Sequence, residues 1–160
     1  MSVLRFTLVL LFAVMTCAQT TPPAGGVRIT MERRGTGMDL SVQQYKLILE
    51  GDGSVLFEGK SLVRGIAIHK YWIKPTTVRE LGDKFAAIGY FDFQKNLGSC
   101  EDAAVVVTSV TIAGKSNEVA DWGCGTNPAL NQLEDEIDRV SNSKVWIQGR
   151  TRLWLHWPRN

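Results

Sequence analysis

Val27, Ile29 and Met31 alternate with Arg28, Thr30 and Glu32, the period-two pattern of a strand that buries one face. The clearest local signal follows it. Tyr45–Glu50 and Ser54–Gly59 flank Gly51-Asp52-Gly53, and a three-residue connection ending in glycine suits a type I turn closed by a left-handed residue. This predicts a β-hairpin. Another strand is expected from about Ile66 to Ile73, ended by Pro75, after which Thr77 with Glu80 three residues on forms a capping box that opens a helix. Val78, Leu81, Phe85 and Ile88 share one face of that helix and make its core stripe. Beyond the Phe91-Asp92-Phe93 exit and a polar loop, Ala104–Ile112 and Ser116–Trp122 form a second hairpin across Ala113-Gly114-Lys115. Asn127 then caps a second helix, with Pro128 at its first position and Leu130, Leu133, Ile137 and Val140 as its stripe. The pattern predicts an α+β fold: a two-layer sandwich with a largely antiparallel sheet of about five or six strands and both helices on one face.

The ends of the chain read differently. Arg5, the apolar run Phe6–Met15 and the exit Thr16-Cys17-Ala18 have the form of an export signal over residues 1–18. The apolar run is shorter than the roughly 20 residues that a membrane-spanning helix needs. Cleavage after Ala18 places small residues at the two required positions and leaves a soluble chain starting at Gln19. In the rival cut Cys17 becomes the acylated first residue of a lipoprotein, although Thr16 fits that box poorly. Residues 19–26 are expected to be a disordered tether, residues 27–147 a single globular domain, and residues 148–160 an aromatic and basic tail.

Charge narrows the function classes. The full chain carries +2, and without Arg5 it holds 17 basic against 16 acidic side chains. A nucleic-acid binder needs a concentrated basic face to displace counterions, so none is expected as a partner. Once a signal is removed, Cys100 and Cys124 are the cysteines left in the globular region, and two thiols in an oxidising compartment most often pair. A Cys100–Cys124 disulfide is therefore expected.

The stretch Ile29-Thr30-Met31-Glu32-Arg33, continued by Tyr45–Gly59, resembles a bacterial family known as domain of unknown function 6438. Leu81–Phe93 is similar to its helix and aromatic exit, and Ala129–Trp146 to its closing helix, with Lys144-Val145-Trp146-Ile147 as the ending. The resemblance covers about Val27 to Ile147. It implies small exported or lipid-anchored proteins with no assigned activity. Members often carry a Cys-Phe-Gly-x-Cys-Pro segment before the tyrosine, where this chain reads Gly35–Gln44 without a cysteine. No redox or metal role resting on those cysteines transfers.

Candidate chemistry is sparse. Cys124, in Asp121-Trp122-Gly123-Cys124-Gly125, would be a nucleophile if His69 were its base, but no spacing brings the two together. His69 and His156 stand apart without a metal-ligand spacing, so no metal and no cofactor is expected. Glu134, Asp135, Glu136 and Asp138 read as the solvated face of a helix. Gly51-Asp52-Gly53 lacks the further ligands of a calcium loop. Ser54, Ser99 and Ser109 lie in no nucleophile elbow. The tail interleaves bulky and cationic residues, and Arg152, Trp154, His156 and Trp157 are its candidate interaction surface, although Leu153, Leu155 and Trp157 also alternate as in a half-buried last strand. The expectation is an exported, non-catalytic structural or partner-binding module of the envelope, periplasmic, secreted or lipid-anchored. Its partner is an unknown protein or envelope component, with membrane contact only if Cys17 is acylated. An inhibitor of another protein and an enzyme using Cys124 are the alternatives.

Overall fold

The computed structural model describes residues 26–35, 42–64, 66–98, 100, 104–123 and 127–148. The alternating segments form strands β1 (Val27–Arg34), β2 (Gln44–Glu50), β3 (Ser54–Ser61), β4 (Ile68–Trp72), β5 (Asn96–Leu97), β6 (Val105–Ile112) and β7 (Lys115–Asp121). They make one sheet in the order β4-β3-β2-β1-β6-β7-β5. Every pairing is antiparallel except that of β5 with β7. The sheet thus has seven strands among the described residues, more than the five or six expected. The uncounted one, β5, has only two residues, too few for any periodicity to show.

Strand pairing sets which side chains share a face. Ile29 lies opposite Leu49 and Val110, Met31 opposite Leu47 and Thr108, and Phe57 opposite Leu47 and His69. These positions are buried or half-buried, and they join one core with the helical stripes. Helix α1 (Pro75–Ala87) contributes Val78, Leu81 and Phe85, and α2 (Pro128–Ser141) contributes Leu130, Leu133 and Ile137. A Cβ on Gly82 of α1 would lie 3.1 Å from Val27 and 3.2 Å from Ile112, so this helix rides close over β1 and β6. Phe85 meets Tyr90 edge-on at 5.0 Å. The neighbouring parity, with Thr30, Ile48, Leu56, Ile68, Lys70 and Trp72, stays half-buried or exposed.

Turn chemistry explains the connections. Gly53 has φ +88° and its N–H donates to the Glu50 carbonyl at 2.8 Å, the left-handed closure expected for this hairpin. In the second hairpin the turn is tighter than expected. Ala113 and Gly114 alone connect β6 to β7, both with positive φ, as a two-residue primed turn requires. Asn127 caps α2, its side-chain oxygen accepting from the Leu130 N–H at 3.1 Å. The capping box proposed for α1 is not used. Pro75 starts that helix rather than only ending the strand, Lys74 is the capping residue, and no side chain caps it. Proline suits this first turn, where its missing N–H has no helical partner to lose. A short helix, α3 (Lys144–Ile147), follows α2 directly.

Candidate functional site

Arg33 shares the parity of Ile29 and Met31, so it projects toward the helices where the apolar stripe of β1 ends. Tyr45 lies opposite it on β2. Asp138 of α2 reaches both: it accepts from the Tyr45 hydroxyl at 2.8 Å and from Arg33 Nε at 3.0 Å. Asn142 ends α2 in the left-handed conformation, and the chain then returns Ser143, whose hydroxyl donates to Asp138 Oδ1 at 2.7 Å. Asp135 holds the outer side of Arg33 at 3.2 Å. Burial, and then the charge of Asp138, drives the Tyr45 hydroxyl far above the ordinary phenol range. The carboxylate of Asp138 therefore has three donors and the phenol stays protonated. This cluster ties β1, β2, α2 and α3 together, and its groups are spent on each other.

A second polar pair lies deeper. Glu134 is only 3% exposed, because the spacing Leu130, Glu134, Ile137, Ser141 places it on the inner face of α2. Its Oε1 accepts from the Thr108 hydroxyl of β6 at 2.9 Å. Burial pushes its pKa up to about 7, opposed by the Thr108 hydrogen bond and reinforced by the charge of Asp121. The expectation of a solvated acidic face holds for Asp135 and fails for Glu134. Asp121 is also buried, and its Oδ1 accepts from the Gly123 N–H at 2.9 Å. Nearby, Asn117 Nδ2 donates to the carbonyls of Tyr90 and Phe93 at 2.9 and 3.1 Å, and Lys95 donates to Asn117 Oδ1 at 2.8 Å. Among the described residues no group of three or more His, Cys, Asp or Glu side chains is placed to hold a metal ion.

The third feature is the outer margin of the sheet at β4. His69 stacks on Trp146 of α3 with ring centroids 3.8 Å apart, and the Tyr71 hydroxyl donates to the Ser141 carbonyl at 2.8 Å. His69 Nε2 is buried and finds no hydrogen-bond partner among the described residues. On the other parity the strand presents Ile68 and Trp72, 62% and 73% exposed, and the preceding loop adds Leu62 at 52% and Ile66 at 67%. These are the exposed large apolar side chains among the described residues, and all four fall within one short stretch of the chain. Beside them Lys70, Leu56, Ile48 and the Arg28–Glu50 ion pair, 2.7 Å apart, line a groove on the same sheet face.

The sequence-derived candidates fare unevenly. Cys100 is described and is not a free thiol. Cys17, Cys124, Arg152, Trp154, His156 and Trp157 lie outside the described residues. His69 sits on β4, and Gly123, which precedes Cys124, follows β7. Four strands separate these two in the sheet, a span of about 24 Å at the usual ~4.8 Å spacing. Arg33, Tyr45 and Trp72 escaped sequence reasoning because nothing local marks them, and Asp138, read as part of the solvated face, instead has a side chain only 13% exposed, held in the joint by Arg33 and Tyr45. Glu134 had a signal, its place in the apolar stripe of α2. No helix among the described residues is long and apolar enough to cross a membrane.

A family model described as a domain of unknown function, DUF6438, matches residues 41–141, from just before β2 to the last residue of α2. No curated protein matches the chain.

Proposed function

The chain belongs to the DUF6438 family, and from that premise we propose that it works, after export, as a non-catalytic binding module of the cell envelope. The observation that carries this reading is the gathering of Leu62, Ile66, Ile68 and Trp72, all more than half exposed, at one margin of the sheet. Exposed aromatic and aliphatic anchors rimmed by charged side chains are what a protein partner buries. The ionisable groups on the helix side support the same reading, since Asp138, Arg33 and Tyr45 serve one another in a structural joint. In this reading the molecule is a two-layer sandwich that leaves the Trp72 face of its sheet for the partner, and Arg152, Trp154, His156 and Trp157 extend that surface.

The export half of the proposal rests on residues 1–18, and the staple half on Cys100 and Cys124. One intact mass spectrum of the protein recovered from cells tests both. A mass starting at Gln19 and two hydrogens short of the reduced value is the expected result. A mass carrying three acyl chains on Cys17 gives the lipid-anchored form, and an unprocessed chain overturns export. The binding half is tested by quantitative capture from envelope extract with the wild type and with Trp72→Ala. One partner retained by the wild type and lost by the variant at unchanged stability is expected. Turnover of a hydrolase or thiol-exchange substrate that vanishes in Cys124→Ser would overturn the non-catalytic reading.

A further inference from the structure

We propose that the β4 margin of the sheet is a docking site for the chain's own carboxyl-terminal segment, with Leu153–Trp157 pairing alongside β4 as an additional, parallel edge strand. The inference shares the Ile68–Trp72 margin with the binding-module reading but is argued from the outward backbone groups of β4.

The backbone of β4 leaves one side unpaired among the described residues. Ile73 N donates to the Gly53 carbonyl at 2.9 Å and Gly59 N to the Ala67 carbonyl at 3.1 Å. In an antiparallel ladder bonded and non-bonded pairs alternate, so His69 and Tyr71 bond to β3 while the N–H and C=O groups of Ile68, Lys70 and Trp72 point away from it. A row of such groups beside exposed Ile68 and Trp72 is a template for another strand.

The described chain ends next to this template. Trp146 lies on His69, and the Ile147 carbonyl accepts from Arg64 N at 3.4 Å, in the loop that leads into β4. Residues 149–160 therefore start from the end of the sheet where β4 itself starts, and they run parallel to it if they turn along its margin. Twelve residues span up to ~40 Å when extended, whereas the five residues of β4 occupy about 16 Å. Leu153-Trp154-Leu155-His156-Trp157 matches β4 in length, carries no Lys, Arg, Asp or Glu, and is closed by Pro158, which cannot donate to a ladder. Both of its faces are aromatic or aliphatic, and the margin offers Ile68 and Trp72 on either side of Lys70 on one face and His69, Tyr71 and Trp146 on the other.

Charge favours this occupant over a second copy. Two β4 strands related by a two-fold axis through their middle residue would set Lys70 against the Lys70 of the other copy, and like charges directly opposed destabilise a pair. The tail sets apolar Leu155 near that lysine, and the short tether holds it at high effective concentration.

Amide hydrogen exchange on the full-length mature protein tests the pairing. Ile68, Lys70 and Trp72 amides of the wild type are expected to exchange at least about tenfold more slowly than those of a full-length Leu155→Pro variant. Truncation after Gln148 should have the same effect. Should either variant fail to fold, the wild type alone decides: these three amides exchanging as fast as the exposed turn amide of Asp52 overturns the proposal. Protection that grows with protein concentration together with a dimeric mass also overturns it, in favour of a second copy. Loss or retention of a partner in the capture experiment leaves this exchange pattern unchanged, so the two proposals fail separately.

Discussion

Glu134 is the residue whose environment departs furthest from what its type requires. Its carboxyl is held at about 7 in the folded protein by burial, against a value near 4.5 when exposed. The folded state therefore binds a proton that the unfolded state has released, and stability falls as pH rises through the window from about 4.5 to 7. Glu134→Gln keeps an acceptor for the Thr108 hydroxyl and removes the charge. Above pH 7 the variant is expected to be more stable than the wild type by about 1–3 kcal/mol, with the decline across that window flattened. Urea denaturation at a series of pH values checks this, and equal pH dependence in the two proteins would refute it. Asp138 is the opposite case, a carboxylate with three donors. Asp138→Ala leaves the Tyr45 hydroxyl without its acceptor and Arg33 with only the exposed Asp135, and is expected to cost about 3 kcal/mol, read from the same denaturation curves.

Among the elements, the β2–β3 hairpin shows how a local signal and a tertiary contact coincide. Gly53 has a positive φ, and a Cβ there would collide with the Ile73 carbonyl that leads from β4 toward α1. Gly53→Ala combines backbone strain with displacement of that strand exit, and a loss of about 2 kcal/mol is expected in thermal unfolding. Gly114 also has positive φ but would meet nothing within 4 Å, so Gly114→Ala is expected to cost less, about 1 kcal/mol. The hairpins and the α2 cap were legible because turn residues and period-two runs are contiguous in the chain. The start of α1 was misread because Thr77 and Glu80 match a capping box by type, while Pro75 had already set the first turn.

For the whole molecule, part of the core could be named from the sequence: Ile29, Met31, Val78, Leu81, Phe85, Leu130, Leu133 and Ile137 are buried where their periodicity placed them. If Cys100 and Cys124 are joined, the bond closes a loop that holds β6 and β7. Reduction is then expected to lower stability by about 3 kcal/mol, measured as a drop in melting temperature on adding reductant. Periodicity and turn chemistry determined the fold class, the hairpins, both long helices and the buried stripes, because each of those is written in residues a few positions apart. The sheet order, the joint of Arg33, Tyr45 and Asp138, the burial of Glu134 and the exposure of Trp72 came only with the tertiary structure. They depend on which strand lies beside which and which element covers a face, and such pairings join residues up to about a hundred positions apart, as Arg33 and Asp138 are.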